Sequence, residues 1–346
     1  MTVSSTRPGR TPRDPAPDAH DAAPAPTSAT VPTVPTAATV PTVPTAATAA
    51  TAATTPGSPR PCAASYHRLG ESFPALRVHH APPRTGNGWL TGADLVARPE
   101  ALRELIAHDA RQALTRYGRP LRPDVAAGFG LHRLTWAVSL LFTLPWFLER
   151  RVPLLAPGDV SVRRRTGELT ARPGAFLCLS DDPAAGRPGA RPATGEPALA
   201  AGLRTALAGL LTPVLAAFRP EVRRGPRTLW AMATDAAVEG LWYVGGLLGE
   251  EERARTELTA LFAPEPAACP EGAPTGPRPS VAPFTPGAGF APARPDAPAH
   301  PGAPTRPATP ACPDTALPER ARASCCLLYT VLPEAMCGGC PRVTRG

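Results

Sequence analysis

Proline placement limits what this chain can fold into more than any other feature. Of 49 prolines in 346 residues, 12 lie in residues 1–60 and 17 in residues 263–318. Both stretches are otherwise rich in Ala and Thr. They lack the large apolar side chains that offset chain entropy. Residues 30–47 repeat Thr-Val-Pro-Thr-Val-Pro-Thr-Ala-Ala twice without change, a pattern of extended, solvated chain rather than a solenoid. The sequence therefore predicts a disordered tail over 1–60 and a disordered linker over 263–318. The folding material is then 61–262, followed by a short segment at 319–346.

Within 61–262 the apolar spacing is mostly helical. Ordered structure is expected from about Tyr66. Pro99-Glu100 opens a helix carrying Leu102, Ile106 and Ala113, with Gly118 closing it. A second helix is predicted from Pro123 to Arg150, bent or ended early by Pro145. The period then changes. Asp159–Arg163 alternates, Thr166-Gly167-Glu168 reads as a turn, and Ala175–Leu179 is a short apolar run, together predicting a β-hairpin. Helical spacing returns from Leu199 to Phe218, broken at Pro213. It continues from Pro226 to Leu248 before Gly249, and ends in a short helix over Glu250–Phe262. The expected class is α+β, a mainly helical domain with a small antiparallel sheet.

All 36 cationic side chains are arginine, and the net charge is +8. The lack of lysine excludes a P-loop and a pyridoxal imine. The arginines form no stripe with interleaved aromatics, so no nucleic-acid partner is expected. Gly128-Phe-Gly130 and Gly287-Ala-Gly289 each lack the third glycine of a dinucleotide fingerprint. The longest uncharged apolar stretch, Leu134–Leu148, is shorter than the roughly 20 residues of a membrane span. No integral membrane association is expected, and the reading is of a cytoplasmic protein with reduced thiols.

The eight cysteines are unevenly placed, and four of them fall within 16 residues: Cys325, Cys326, Cys337 and Cys340. Their arrangement is C-C-x10-C-x2-C, followed by Pro341. So many close thiols in a reducing compartment point to metal. Structural zinc usually takes two C-x2-4-C knuckles. Here the side chains of the adjacent pair diverge, which suits the separated corners of a two-iron cluster better than one small ion. The glycines of Cys337-Gly-Gly-Cys340 let backbone N–H groups approach the sulfurs.

This segment resembles the C-terminal motif of the ferric-siderophore reductases, the FhuF-like family. The resemblance rests on Ser324-Cys-Cys-Leu-Leu-Tyr-Thr and Cys337-Gly-Gly-Cys-Pro-Arg342 with their spacing intact. The stretch from Arg227-Thr-Leu-Trp230 to Gly249 is similar, less specifically, to the family's last long helix. The resemblance implies a [2Fe–2S] cluster held by Cys325, Cys326, Cys337 and Cys340. It also implies a one-electron reductase acting on a ferric siderophore of the hydroxamate type, supplied by a ferredoxin or a flavin reductase. The 1–60 tail and the 263–318 insertion depart from the family pattern. Two other readings stay open: a binding protein with a structural zinc or cluster site, and a redox sensor or electron carrier.

The other chemistry-bearing residues are expected to be bystanders. Cys62, Cys269 and Cys312 lie beside prolines, and Cys178 reads as a small buried hydrophobe. His79-His80 reads as a loop or strand-edge pair, and His132-Arg133 as a weak ligand candidate. Asp235 and Glu239 share a helix face, expected to be solvated. Arg322, Arg342 and Arg345 are expected to be surface charges.

Overall fold

The computed structural model describes residues 60–263, 283–285, 289–291, 319–333 and 340. The predicted 1–60 tail lies outside them but for Arg60. From the N-terminus the elements are α1 (Ala63–Ser72), β1 (Val78–His79), β2 (Trp89–Thr91), α2 (Gly92–Ala97), α3 (Pro99–Tyr117) and α4 (Pro123–Glu149). Next come β3 (Arg151–Leu154), β4 (Val160–Arg163), β5 (Leu169–Ala171), β6 (Ala175–Leu179), β7 (Ala190–Ala193) and α5 (Glu196–Val222). The last are α6 (Pro226–Leu247), α7 (Glu251–Leu261), β8 (Gly289–Ala291) and β9 (Glu319–Ala321).

The mainly helical α+β class holds, and the strand pairing is mixed. One sheet has the order β1-β5-β4-β2, a second β3-β6-β7, and a third pairs β8 with β9. β1 runs parallel to β5 and β7 parallel to β6, while the other pairs are antiparallel. The predicted hairpin turn forms at Gly167, whose left-handed φ of 74° needs no side chain. Its second strand, however, is β5 rather than Ala175–Leu179. That run pairs with β3, directly after α4, and buries Phe176 and Cys178.

α4 is the core helix. It is buried on nearly every side, as expected of a helix apolar all round. Pro145 does not end it. A proline there withdraws the N–H that would bond the Leu141 carbonyl, and the Tyr66 hydroxyl of α1 donates to that carbonyl at 2.9 Å. The helix closes five residues later at Arg150, in the left-handed region. α5 likewise runs unbroken through Pro213 and Pro220. Leu210, Leu211, Val214, Leu215 and Phe218 are buried on both sides of Pro213. At about 1.5–3 kcal/mol each, their burial exceeds the roughly 3 kcal/mol an interior proline costs.

By length and composition α4 and α5 could each cross a membrane; 78% of the apolar window of α4 and 39% of that of α5 is buried within the fold.

Two pieces of the predicted linker, 283–285 and 289–291, lie among the described residues. Phe284 is buried, its ring 5.1 Å from that of Trp230 and 5.4 Å from that of Phe262. The backbone N–H of Thr285 donates to Thr234 Oγ1 at 3.1 Å. β8 then pairs with β9, Gly289 opposite Ala321 and Ala291 opposite Glu319. The aromatic ring of Phe284 supplies apolar area among the prolines.

Candidate metal centre

β9 leads directly into Arg322, Ala323, Ser324, Cys325 and Cys326, and α6 receives this strand. Between Leu229 and Leu247, α6 carries two charged residues, Asp235 and Glu239. Neither is solvated, contrary to expectation. Asp235 is 1% exposed and the Glu239 side chain 12%. With its own Ala233, Ala236, Ala237 and Val238 all buried, α6 has no wet face at this level, so a carboxylate there must find partners inside.

Asp235 finds them in the strand before the cysteines. Its Oδ1 accepts from the Ala323 N–H at 2.9 Å, and its Oδ2 from the Ser324 N–H at 2.8 Å and from the Ser324 hydroxyl. Glu239, one turn on, accepts from Arg320. It also pairs with Arg322 at 2.7 Å and with His132 Nε2 of α4 at 2.9 Å. Burial opposes its charge. The His132 hydrogen bond, the adjoining His132 ring and the cations of Arg320 and Arg322 outweigh burial and hold its carboxyl well below the ordinary glutamate range. Arg320 also donates to the Asp235 backbone carbonyl at 3.1 Å.

Two further expectations change here. Arg322 is not a surface charge, because its side chain is 8% exposed and paired with Glu239. His132 and Arg133 both act within the fold, Arg133 pairing with the buried Asp109 of α3. A Cβ at Gly130 would come within 2.8 Å of Asp109 Oδ2, so the glycine makes room for that carboxylate.

Cys325 and Cys326 follow this anchor, each half-buried, and Leu327 turns the chain with a left-handed φ of 61° into a 3-10 turn at Leu328–Thr330. Cys340 is buried at 3% exposure, and Cys337 lies outside the described residues. Among the described residues no three Cys, His, Asp or Glu side chains converge as a ligand set, and no cysteine forms a disulfide. The donor chemistry fits an iron–sulfur group. Cys325 and Cys326 are adjacent, half-buried thiols beyond the anchored strand, and Cys340 is shielded from water.

The remaining cysteines and histidines lie elsewhere. Cys178 is buried in β6 as expected. Cys62 is no bystander of a loose tail: it is fully buried at the start of α1 with φ 62°. Burial, reinforced by nearby Glu149, pushes its thiol pKa up, which disfavours the reactive thiolate. Cys269 and Cys312 lie outside the described residues. His79 lies on edge strand β1, 3.3 Å from Glu168.

No protein-family model matches the chain, and no curated protein matches it.

Sequence reasoning noticed Asp235 and Glu239 but missed their role. The signal was present: two carboxylates four residues apart in a helix otherwise apolar on every side cannot share a solvated face.

Proposed function

We propose that the protein is a cytoplasmic ferric-siderophore reductase. Its substrate is an iron(III) siderophore of the hydroxamate type, and its electrons come from a ferredoxin or a flavin reductase. A [2Fe–2S] cluster on Cys325, Cys326, Cys337 and Cys340 supplies a one-electron couple. Ferric iron is a hard ion gripped by the siderophore oxygens. One electron converts it to ferrous iron, which those oxygens hold far less tightly.

The observation that carries this reading is the fixed seat of Cys325-Cys326 on α6. Asp235 ties the strand before them to the helical body through three hydrogen bonds. A bare electron carrier needs no such body, whereas a reductase must hold its donor at a fixed place relative to its substrate. Glu239, with His132, Arg320 and Arg322, fixes the strand a second time. The buried position of Cys340 keeps water from that thiol.

The test is anaerobic purification followed by absorption spectroscopy and by iron and acid-labile sulfide counts. A red-brown protein with about two irons and two sulfides per chain is expected, with the reduced form reoxidised by a ferric trihydroxamate. Cys340→Ser should remove the visible absorbance and the iron reduction together, and Cys178→Ala should keep both. A colourless protein holding one tight zinc ion would sink the proposal.

A further inference from the structure

A second feature lies away from the cysteine strand. Between α3 and the tips of β2 and β4 is an open cleft of about 770 Å³, lined by Asn87, Gly88, Glu104, His108, Arg111 and the consecutive Arg163, Arg164 and Arg165. Its size lies within the roughly 300–1,000 Å³ of small-molecule sites. The backbone around it is braced. The Arg164 N–H donates to the Gly88 carbonyl at 2.9 Å, and the Trp89 N–H to Gly86 at 2.9 Å. That second bond closes a turn in which Asn87 and Gly88 both have positive φ, 49° and 84°, as a type I′ turn demands.

Charge in the cleft is unbalanced. Arg164 pairs with Glu104, and Arg163 lies 3.6 Å from Glu168. Among the described residues no carboxylate pairs with Arg111 or Arg165. The Nε–H of Arg163 is buried with no acceptor. His108 registers the same field. Burial first, then Arg133, Arg111, Arg164 and Arg165, lowers its pKa. Arginines spread over a surface by composition alone would face solvent singly. Here four surround one concave space, held by hydrogen-bonded backbone.

We propose that this cleft binds a small polyanion through guanidinium–oxyanion hydrogen bonds, the ligand carrying several phosphate or carboxylate groups. Planar guanidinium forks match both groups bidentately. The concave shape favours a small molecule over a flat macromolecular face. The site is independent of the iron chemistry proposed above.

The experiment is calorimetric titration of the full chain with pyrophosphate and with citrate at near-physiological salt, with the His108 ring followed by NMR. Saturable binding with Kd below about 1 mM is expected for at least one of them. The stronger ligand tells phosphate from carboxylate. Binding should raise the His108 pKa, because the anion cancels the surrounding positive field. Arg111→Ala and Arg165→Ala, both at exposed positions, should each weaken binding by about tenfold or more while leaving the melting temperature unchanged. The proposal fails if neither anion binds saturably, if the two variants bind as the parent does, or if only a long polyanion such as heparin binds.

Discussion

The carboxylate of Asp235 accepts hydrogen bonds from both the backbone N–H and the hydroxyl of Ser324, 89 residues further along the chain. The residue after Ser324 is Cys325. A buried acid in the core thus holds the strand that leads into the adjacent cysteine pair.

Replacing Asp235 should release that segment. Asp235→Ala leaves the N–H groups of Ala323 and Ser324 without acceptors, and charged hydrogen bonds contribute about 1.5–3 kcal/mol each. A loss of about 3 kcal/mol or more is expected. Hydrogen exchange checks it: the Ala323 and Ser324 amides should lose protection while α4 keeps its own. Equal loss throughout the domain would mean that Asp235 supports the whole core instead.

Glu239→Gln should cost about 3–5 kcal/mol, because removing one partner leaves buried cations uncompensated. Denaturant unfolding of the variant beside the parent measures it. A cost below about 1 kcal/mol would show the Glu239 cluster to be no more than a surface ion pair.

The same residue predicts a pH dependence. Its folded pKa is depressed, so its stabilisation is fully present above the ordinary glutamate range and is lost as pH falls through the lowered folded value. Melting temperature should therefore drop on acidification below about pH 4.5, and less steeply in Glu239→Gln. Parallel curves for the two proteins would assign the acid loss to other carboxylates, such as Glu257, held low by Arg150 and Arg253 against its own burial.

Tyr66→Phe removes the donor to the Leu141 carbonyl. A cost of about 1–2 kcal/mol is expected. Pro145→Ala restores the missing N–H and should shrink the penalty of Tyr66→Phe when the two are combined. A double-mutant cycle with no coupling would separate the hydroxyl from the proline.

Phe284→Ala tests the docking of the Pro-rich stretch at this residue. Loss of its packing against Trp230 and Phe262 should cost about 3 kcal/mol. It should also expose the chain around 284 to limited proteolysis before the helical body is cut.

Much of this was legible in the chain, and the reasons differ by element. α3 and α6 follow from local rules: a proline in the first turn of each, and left-handed glycines after the helix ends at Gly118 and Gly249. The candidate ligands followed from cysteine spacing, which is itself local. Where local rules failed, a distant partner had intervened. Pro145 leaves α4 intact because Tyr66 satisfies the freed carbonyl. Ala175–Leu179 leaves the expected hairpin and pairs with β3, while β5 takes the place beside β4.

By itself the sequence determined the helical periodicity, the proline-rich stretches and the clustering of four thiols. Each is a property of neighbouring residues, fixed by backbone sterics and side-chain chemistry. Tertiary structure alone decided that Asp235 and Glu239 are buried anchors, that Phe284 is pinned, that Cys62 is core, and that four arginines surround one cleft. Burial and charge pairing depend on which distant segments share a volume. A carboxylate on a helix looks the same in sequence whether water or Ser324 lies beyond it.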